Sequence, residues 1–350
     1  MTWRGVSFYS AQVEVFARSP AGSKPALGPL VQVVQRHLDE VDARIIEQAN
    51  AFDPAIEGYV TYAIGGRGKR LRPVVALLSG GATGPITSQH VDLAVIVELI
   101  HLATLVHDDI MDEAERRRAQ PTVNARWGNS LSVLLGDCLF AHALNLSADF
   151  ENAEISRAIA RTAREVCSGE MIQTQRRFDL HLGIDDYLRI VEMKTGSLFA
   201  AAAALGATIS GADKDKIDML RRYGMSIGTA YQIYDDCLDL AGTEAKTGKT
   251  LGTDLRKGKF TLPVLNFLKG ATEFERERCS EWILEGRTAE VAELLRNGAS
   301  NGSLNASITT GVEMIRAAQP TLQILSTNEH AAALNELGEA LVEMLEQLRM

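Results

Sequence analysis

The chain has 350 residues, of which 46% are hydrophobic, and a formal net charge of −9. Mean hydropathy is −0.03, ordinary for a globular protein. This charge excludes a general nucleic-acid binder, which needs a basic face, but leaves room for a local site for small anions.

Residues 1–30 carry no apolar core of signal-peptide length and read as a tail, with a Pro/Gly linker from Ser19 to Pro29. From residue 31 to residue 350 the pattern predicts one all-α domain. Strand signals are nearly absent, and apolar residues recur at three and four throughout. Leu30–Asn50 starts the series. Helices this apolar on several faces must pack on one another as a large bundle. The four cysteines, Cys138, Cys167, Cys237 and Cys279, form no CxxC pair and read as reduced thiols of a cytoplasmic protein. No run reaches the ~20 apolar residues of a membrane span. The nearest, Gly196–Ala212, is alanine-rich and reads as a buried helix.

GGRGKRLRPVV, Gly65–Val75, comes next. Its three glycines free the backbone, Lys69, Arg70 and Arg72 supply charge, and Pro73 suits a first helical position. A helix start behind such a loop is a ready anion site. The helix of Val91–Ala114 then ends in an acidic run. Asp108 and Asp112 are four apart and share a face, with Asp109 turned roughly 100° away. Paired carboxylates suit a hard divalent cation, since magnesium takes one or two and fills its shell with water and phosphate oxygens. A solvated acidic helix end is the plain alternative. Arg116, Arg117 and Arg118 follow.

Two apolar helices, Leu131–Asp149 and Ile155–Phe178, lead to EMKTGSLF, where Lys194 and Thr195 interrupt a third. That lysine either snorkels or points at an anion inside the bundle. YQIYDDCLDLAG then repeats the first acidic pattern: Asp235 and Asp239 share a face, Asp236 is offset, Gln232 lies one turn earlier, and Gly242 is placed to end the helix. One DDxxD run is weak evidence, whereas two, each closing a long apolar helix, are strong. Lys249, Lys257 and Lys259 follow in a glycine-punctuated loop whose spacing does not fit a nucleotide P-loop. Shorter helices from about Glu273, broken at Pro320, complete the chain. Acids and bases in these numbers make sense if diphosphates and metal ions lie between them.

In family order, GGRGKRLRP, ELIHLATLVHDDIMD, RRRAQPTVNARWGN, LLGDCLF, GEMIQ, MKTGSLF, YQIYDDCLDL and GKTLGTDLRKGKFTLP resemble the motifs of the trans-isoprenyl diphosphate synthases, the polyprenyl synthetases. One departure is Ala119, where the family usually has glycine. The resemblance implies an all-α homodimer with a central cavity that condenses isopentenyl diphosphate with an allylic diphosphate. It implies magnesium, with manganese as the alternative, held by Asp108, Asp112, Asp235 and Asp239, with Asp109 and Asp236 as supporting acids. It implies an isopentenyl diphosphate site at Lys69, Arg72, His101 and Arg118. Arg117, Lys194, Lys249 and Lys259 would clamp the allylic diphosphate. Thr195 and Gln232 would set dipoles beside the allylic cation. Class I terpene cyclases lack the basic loop and a second DDxxD run, and non-catalytic partner subunits lose the acidic runs.

Product length is expected from the helix before Asp108. Each turn back is ~5.4 Å, about one isoprene unit. Short-chain members carry a bulky aromatic four or five residues before the first aspartate. This chain has Thr104 and Ala103 there, with Ile100 one turn deeper. The expectation is a product of about six to eight isoprene units, about C30–C40, by that spacing.

Overall fold

In a computed structural model, residues 31–349 are described except 67, 118–119, 242–252, 288–289, 292–293, 296–301 and 326. The chain is helical, as its periodicity predicts. Its helices are α1 Gln35–Glu47, α2 Glu57–Ile64, α3 Leu71–Thr83 and α4 Ser88–Met111. Then come α5 Val123–Trp127, α6 Asn129–Ser147, α7 Ala153–Gln175, α8 Ile184–Val191, α9 Ser197–Ile209 and α10 Lys214–Ala241. The remainder is α11 Thr253–Arg256, α12 Leu262–Gly270, α13 Glu273–Leu284, α14 Ser303–Ala318 and α15 Glu329–Glu346. Among the described residues the only strands are β1 Arg116–Arg117 and β2 Gln120–Pro121, a minimal antiparallel hairpin within the arginine run.

The core runs through α3, α4, α9 and α10. In α9, every residue from Ser197 to Ala207 is buried, and its alanines let neighbouring backbones approach closely. A Cβ at Gly206 would lie 2.3 Å from the carbonyl oxygen of Ala76, so glycine is needed where α9 crosses α3. Helices α4 and α7 both pack on α6 and α9 but hardly touch each other.

Three helical stretches are long and apolar enough to cross a membrane by length and composition: Ser88–Met111, Asn129–Ser147 and Ile184–Ile209. Scattered polar residues break the uninterrupted runs sought in the sequence, which therefore passed over them. In the first and third, 72% and 83% of the apolar window is buried, so packing inside the bundle accounts for their composition. In α6 only 33% is buried. Val133, Leu134 and Leu144 of α6 and Met171 of α7 remain exposed.

Candidate active site

Helix α4 ends with its acids at the wrong pole of its dipole. Carboxylates at a helix C-terminus meet unpaired carbonyls and are unfavourable unless cations answer them. Several cations do. Lys259, itself buried, sits 2.8 Å from Asp112 Oδ1, and Lys257 sits 3.5 Å from Oδ2. Arg177 donates to Asp112 Oδ1 at 3.2 Å and to the Met111 carbonyl at 3.4 Å, thereby capping the helix. Burial alone would raise the Asp112 pKa, but these cations win and hold it below the usual carboxylate range. Asp108 goes the other way. Its burial outweighs the charges of Lys194 and Lys259, with Glu170 and Asp112 adding repulsion, and its pKa is raised.

Asp109, turned off that face, is buried and bonded to Arg117, with Nη2 at 2.8 Å and Nε at 2.9 Å. Arg117 therefore neutralises an aspartate in this structure, a contact that the motif pattern does not specify. Burial opposes its charge, yet its bonds to Asp109 raise its pKa.

Lys194 lies in a single π-helical turn, Glu192–Gly196, between α8 and α9. Such bulges place one extra residue in a helix and re-aim a side chain. Gly169 makes room for this one, because a Cβ there would lie 2.7 Å from the Lys194 nitrogen. Lys194 is ion-paired with Glu170 and donates to Gln173 Oε1 at 2.9 Å. Burial disfavours its charge, but Asp108 and Glu170 overcome this and raise its pKa. Next to it, Thr195 donates to Gln232 Oε1 at 3.0 Å, and Gln232 donates to Asp236 Oδ1 at 2.8 Å. Tyr187 donates to the other oxygen of Asp236. Asp236 is thus a buried hub rather than a cavity-facing acid, and burial with the Asp254 charge pushes its pKa up to about 8.

The two acidic runs share neighbours. Lys194 and Lys259 act electrostatically on Asp108 and also on Asp254, which is raised to about 6 by burial and by Asp239 and Asp235. The Asp254 backbone N–H donates to Asp239 Oδ2 at 3.3 Å.

On the opposite wall lies the basic loop. Helix α3 starts at Leu71, two residues before Pro73, so the proline falls within the first turn, where no intrahelical N–H bond is lost. Arg70 caps it in the left-handed region at φ 50°. Its Nε lies 2.8 Å from Asp42, and its Nη1 lies 2.6 Å from the buried Glu98 of α4. Arg72 is stacked 4.7 Å from the Phe199 ring centroid, and its buried Nε has no hydrogen-bond partner among the described residues. Burial lowers its pKa in spite of Glu98, Tyr231 and Asp108. Lys69 lies 5.7 Å from the Tyr231 ring centroid.

His101 is half-buried on α4 two turns before Asp108, and its carbonyl accepts the Thr104 hydroxyl at 2.7 Å. Ile100 and Ala103 are fully buried. Arg118, Ala119, Gly242 and Lys249 lie outside the described residues. The structure adds residues that were not singled out as site residues. Glu170 and Gln173 stood within the matching GEMIQ motif. Lys257 stood in the basic loop. Asp254 stood within the matching GKTLGTDLRKGKFTLP motif, whereas Arg177 and Tyr187 carried no spacing signal.

Carboxylates and phosphate-seeking cations in alternation are a donor set for a hard divalent ion. Among the described residues no three His, Cys, Asp or Glu side chains converge as a closed metal cage.

The polyprenyl synthetase family model matches residues 53–297, more than half of the chain. The octaprenyl diphosphate synthase of Escherichia coli (strain K12) is 32% identical over 304 residues, covering 87% of this chain and 94% of that one. The geranylgeranyl diphosphate synthase of Methanosarcina mazei is 34% identical over 287 residues, covering 80% and 88%. The solved polyprenyl synthase of Caulobacter crescentus CB15, complexed with calcium and isoprenyl diphosphate, superposes with a TM-score of 0.84 at 33% identity, covering 93% of this chain and 99% of that one. The chain belongs to the polyprenyl synthetase family of divalent-metal-dependent trans-prenyltransferases.

Proposed function

We propose that the protein is a long-chain trans-polyprenyl diphosphate synthase. It joins isopentenyl diphosphate head-to-tail to an allylic diphosphate in repeated rounds of ionisation, condensation and elimination. The observation that carries this reading is that Lys259, ion-paired with Asp112 of the first DDxxD run at 2.8 Å, also donates its backbone N–H to the Asp254 carbonyl at 2.9 Å, and the Asp254 N–H bonds Asp239 of the second run at 3.3 Å.

Asp108, Asp112, Asp235 and Asp239 would hold magnesium, with manganese as the alternative. The ion supplies charge neutralisation for a departing diphosphate. Lys194, Lys259, Lys249 and Arg117 bind and orient the allylic diphosphate, and add positive charge where the leaving oxygen becomes anionic. Lys69, Arg72, His101 and Arg118 hold isopentenyl diphosphate against the opposite wall. Arg72 Nε, buried and without a partner among the described residues, is a donor available to a phosphate oxygen. The Thr195–Gln232 pair puts amide and hydroxyl dipoles beside the allylic carbons, and the apolar walls keep water from the cation. The released diphosphate takes the last proton, so no histidine base is required.

The product is about C30–C40, growing along α4 past Thr104, Ala103 and Ile100, about one turn per isoprene unit. A single all-α domain over residues 31–350 carries the activity, with residues 1–30 as a tail. It works in the cytoplasm, in keeping with four free cysteines. A second copy covers the open apolar face of α6, giving a homodimer.

The test is incubation of the purified protein with magnesium, isopentenyl diphosphate and geranyl, farnesyl or geranylgeranyl diphosphate, followed by mass spectrometry. Elongation of none of the three primers would overturn the reading.

A further inference from the structure

Phe178 holds a bulky side chain in the left-handed region, at φ 60°. Few residues of this kind do so, because the Cβ crowds the backbone. Burial does not compensate, since half of Phe178 is exposed. Something other than core packing keeps it there. Its N–H donates to the Gly258 carbonyl at 2.8 Å. Its ring also covers Gly258, where a Cβ would lie 2.5 Å from the ring edge.

Gly258 is itself left-handed, at φ 71°. It ends the short helix α11 in a Schellman turn. Gly258 N–H bonds the Leu255 carbonyl at 3.0 Å, and Lys259 N–H bonds the Asp254 carbonyl at 2.9 Å. The residues on either side of this glycine are Lys257 and Lys259, both on Asp112. The residue before Phe178 is Arg177, also on Asp112. Arg176 anchors the same stretch through Asp179 at 2.7 Å and Asp186 at 2.8 Å. Two left-handed turns from distant parts of the chain, only that of Phe178 strained, are therefore clasped at one point, and the cations flanking that point converge on one carboxylate.

We propose that Phe178 is a positioning residue. Through its clasp on Gly258 it fixes the Lys257–Lys259 turn against Arg177, so that Lys257, Lys259 and Arg177 are gathered on Asp112 beside the allylic diphosphate position. This rests on the prenyltransferase reading of the same site. The clasp touches no substrate. It acts through Lys259 and Arg177, whose placement a shift of about 1 Å would spoil.

The test measures KM for the allylic primer, KM for isopentenyl diphosphate, and kcat, in Phe178→Ala, Gly258→Ala and Phe178→Leu, alongside thermal melting. The expected result is a rise of about tenfold or more in the allylic KM for Phe178→Ala and Gly258→Ala. The isopentenyl diphosphate KM stays within about twofold by the same reasoning, and Phe178→Leu, which keeps an apolar cover on the glycine, recovers most of the loss. Unchanged allylic KM in folded Phe178→Ala, or an equal rise in both KM values, would overturn the clasp. If Gly258→Ala fails to fold, Phe178→Ala and Phe178→Leu decide alone. If the wild-type protein elongates no primer, it is the prenyltransferase reading that falls. Affinity for inorganic diphosphate with magnesium, measured by calorimetry, then tests the clasp without turnover: it drops in Phe178→Ala if the clasp is real and is unchanged if it is not.

Discussion

Tyr187 donates its phenolic hydrogen to Asp236, which brings the second DDxxD run under the control of a residue 49 positions earlier. The other oxygen of Asp236 accepts from Gln232, whose carbonyl in turn accepts from Thr195. Tyr187 thus sets which way the Gln232 amide points. In Tyr187→Phe the buried carboxyl loses a donor, which costs about 1–3 kcal/mol of stability. Turnover should fall with little change in either KM, because the Gln232 dipole is misdirected rather than lost. Denaturant unfolding and steady-state kinetics check both parts.

Arg70 and Glu98 form a nearly buried ion pair beneath the basic loop. Removing one partner of such a pair strands the other charge. Glu98→Gln should destabilise the protein by roughly 3 kcal/mol. It should also raise KM for isopentenyl diphosphate more than for the allylic primer, since Arg70 holds Lys69 and Arg72 on either side of it. Equal effects on both substrates would show that the pair serves only the fold.

Ala103 is buried where the growing chain is expected to pass. Ala103→Phe should shorten the product by at least one isoprene unit, read by mass spectrometry, with the first condensation preserved. An unchanged product distribution would exclude this wall as the path of the chain.

Leu134 is 65% exposed on a helix whose apolar window is only 33% buried. Covering such a face in a dimer removes it from water, and one charge set into it costs more than its transfer because its partner lies across the symmetry axis. Leu134→Glu should shift the sedimentation coefficient from dimer to monomer. A wild-type protein already monomeric at micromolar concentration would overturn the dimer.

His90 is wholly buried, and its neutral form is set by its neighbours. The Thr87 N–H donates to Nδ1 at 3.0 Å, so the ring proton sits on Nε2, facing the Gly206 carbonyl at 3.1 Å. Burial lowers its pKa, and the nearby His37 adds to this. The unfolded chain therefore takes up the proton first as pH falls below about 6.5, and stability drops from there downward until the folded ring also titrates. His142 and His330, both lowered by burial, add to the same slope. The raised carboxyls of Asp236 and Asp254 work against this slope, because the folded chain protonates them first. The histidine contribution is therefore read by comparison: from about pH 7 to about pH 5 the melting midpoint should fall more, or rise less, in the wild type than in His90→Asn.

The helices, their order and the two acidic runs were legible because each rests on local spacing. Asp108 with Asp112, and Asp235 with Asp239, share faces by helix geometry alone. Lys194 stood out as a charge inside an apolar run, but its π-turn did not, because the room it occupies is left by Gly169 on another helix. Arg117 is expected at the allylic diphosphate from its motif; its bond to Asp109, beside the hairpin of Arg116–Arg117 on Gln120–Pro121, has no local spacing to announce it. Arg177 and Tyr187 gave no sign, since one ends a helix and the other begins the next, with no motif around either.

What the sequence determined by itself was the chemistry on offer: carboxylates in pairs at helix ends, cations in loops, an apolar slot, and so the class of reaction. Periodicity and charge type are local properties, and they survive without coordinates. Only the tertiary structure decided which acid meets which base. Asp112 drawing in Arg177, Lys257 and Lys259, and Asp236 turning inward to Tyr187, depend on backbone crossings between distant segments. In a buried site the pairing and the desolvation of each charge follow from those crossings, and they separate an aspartate that gathers cations from a structural one of identical sequence pattern.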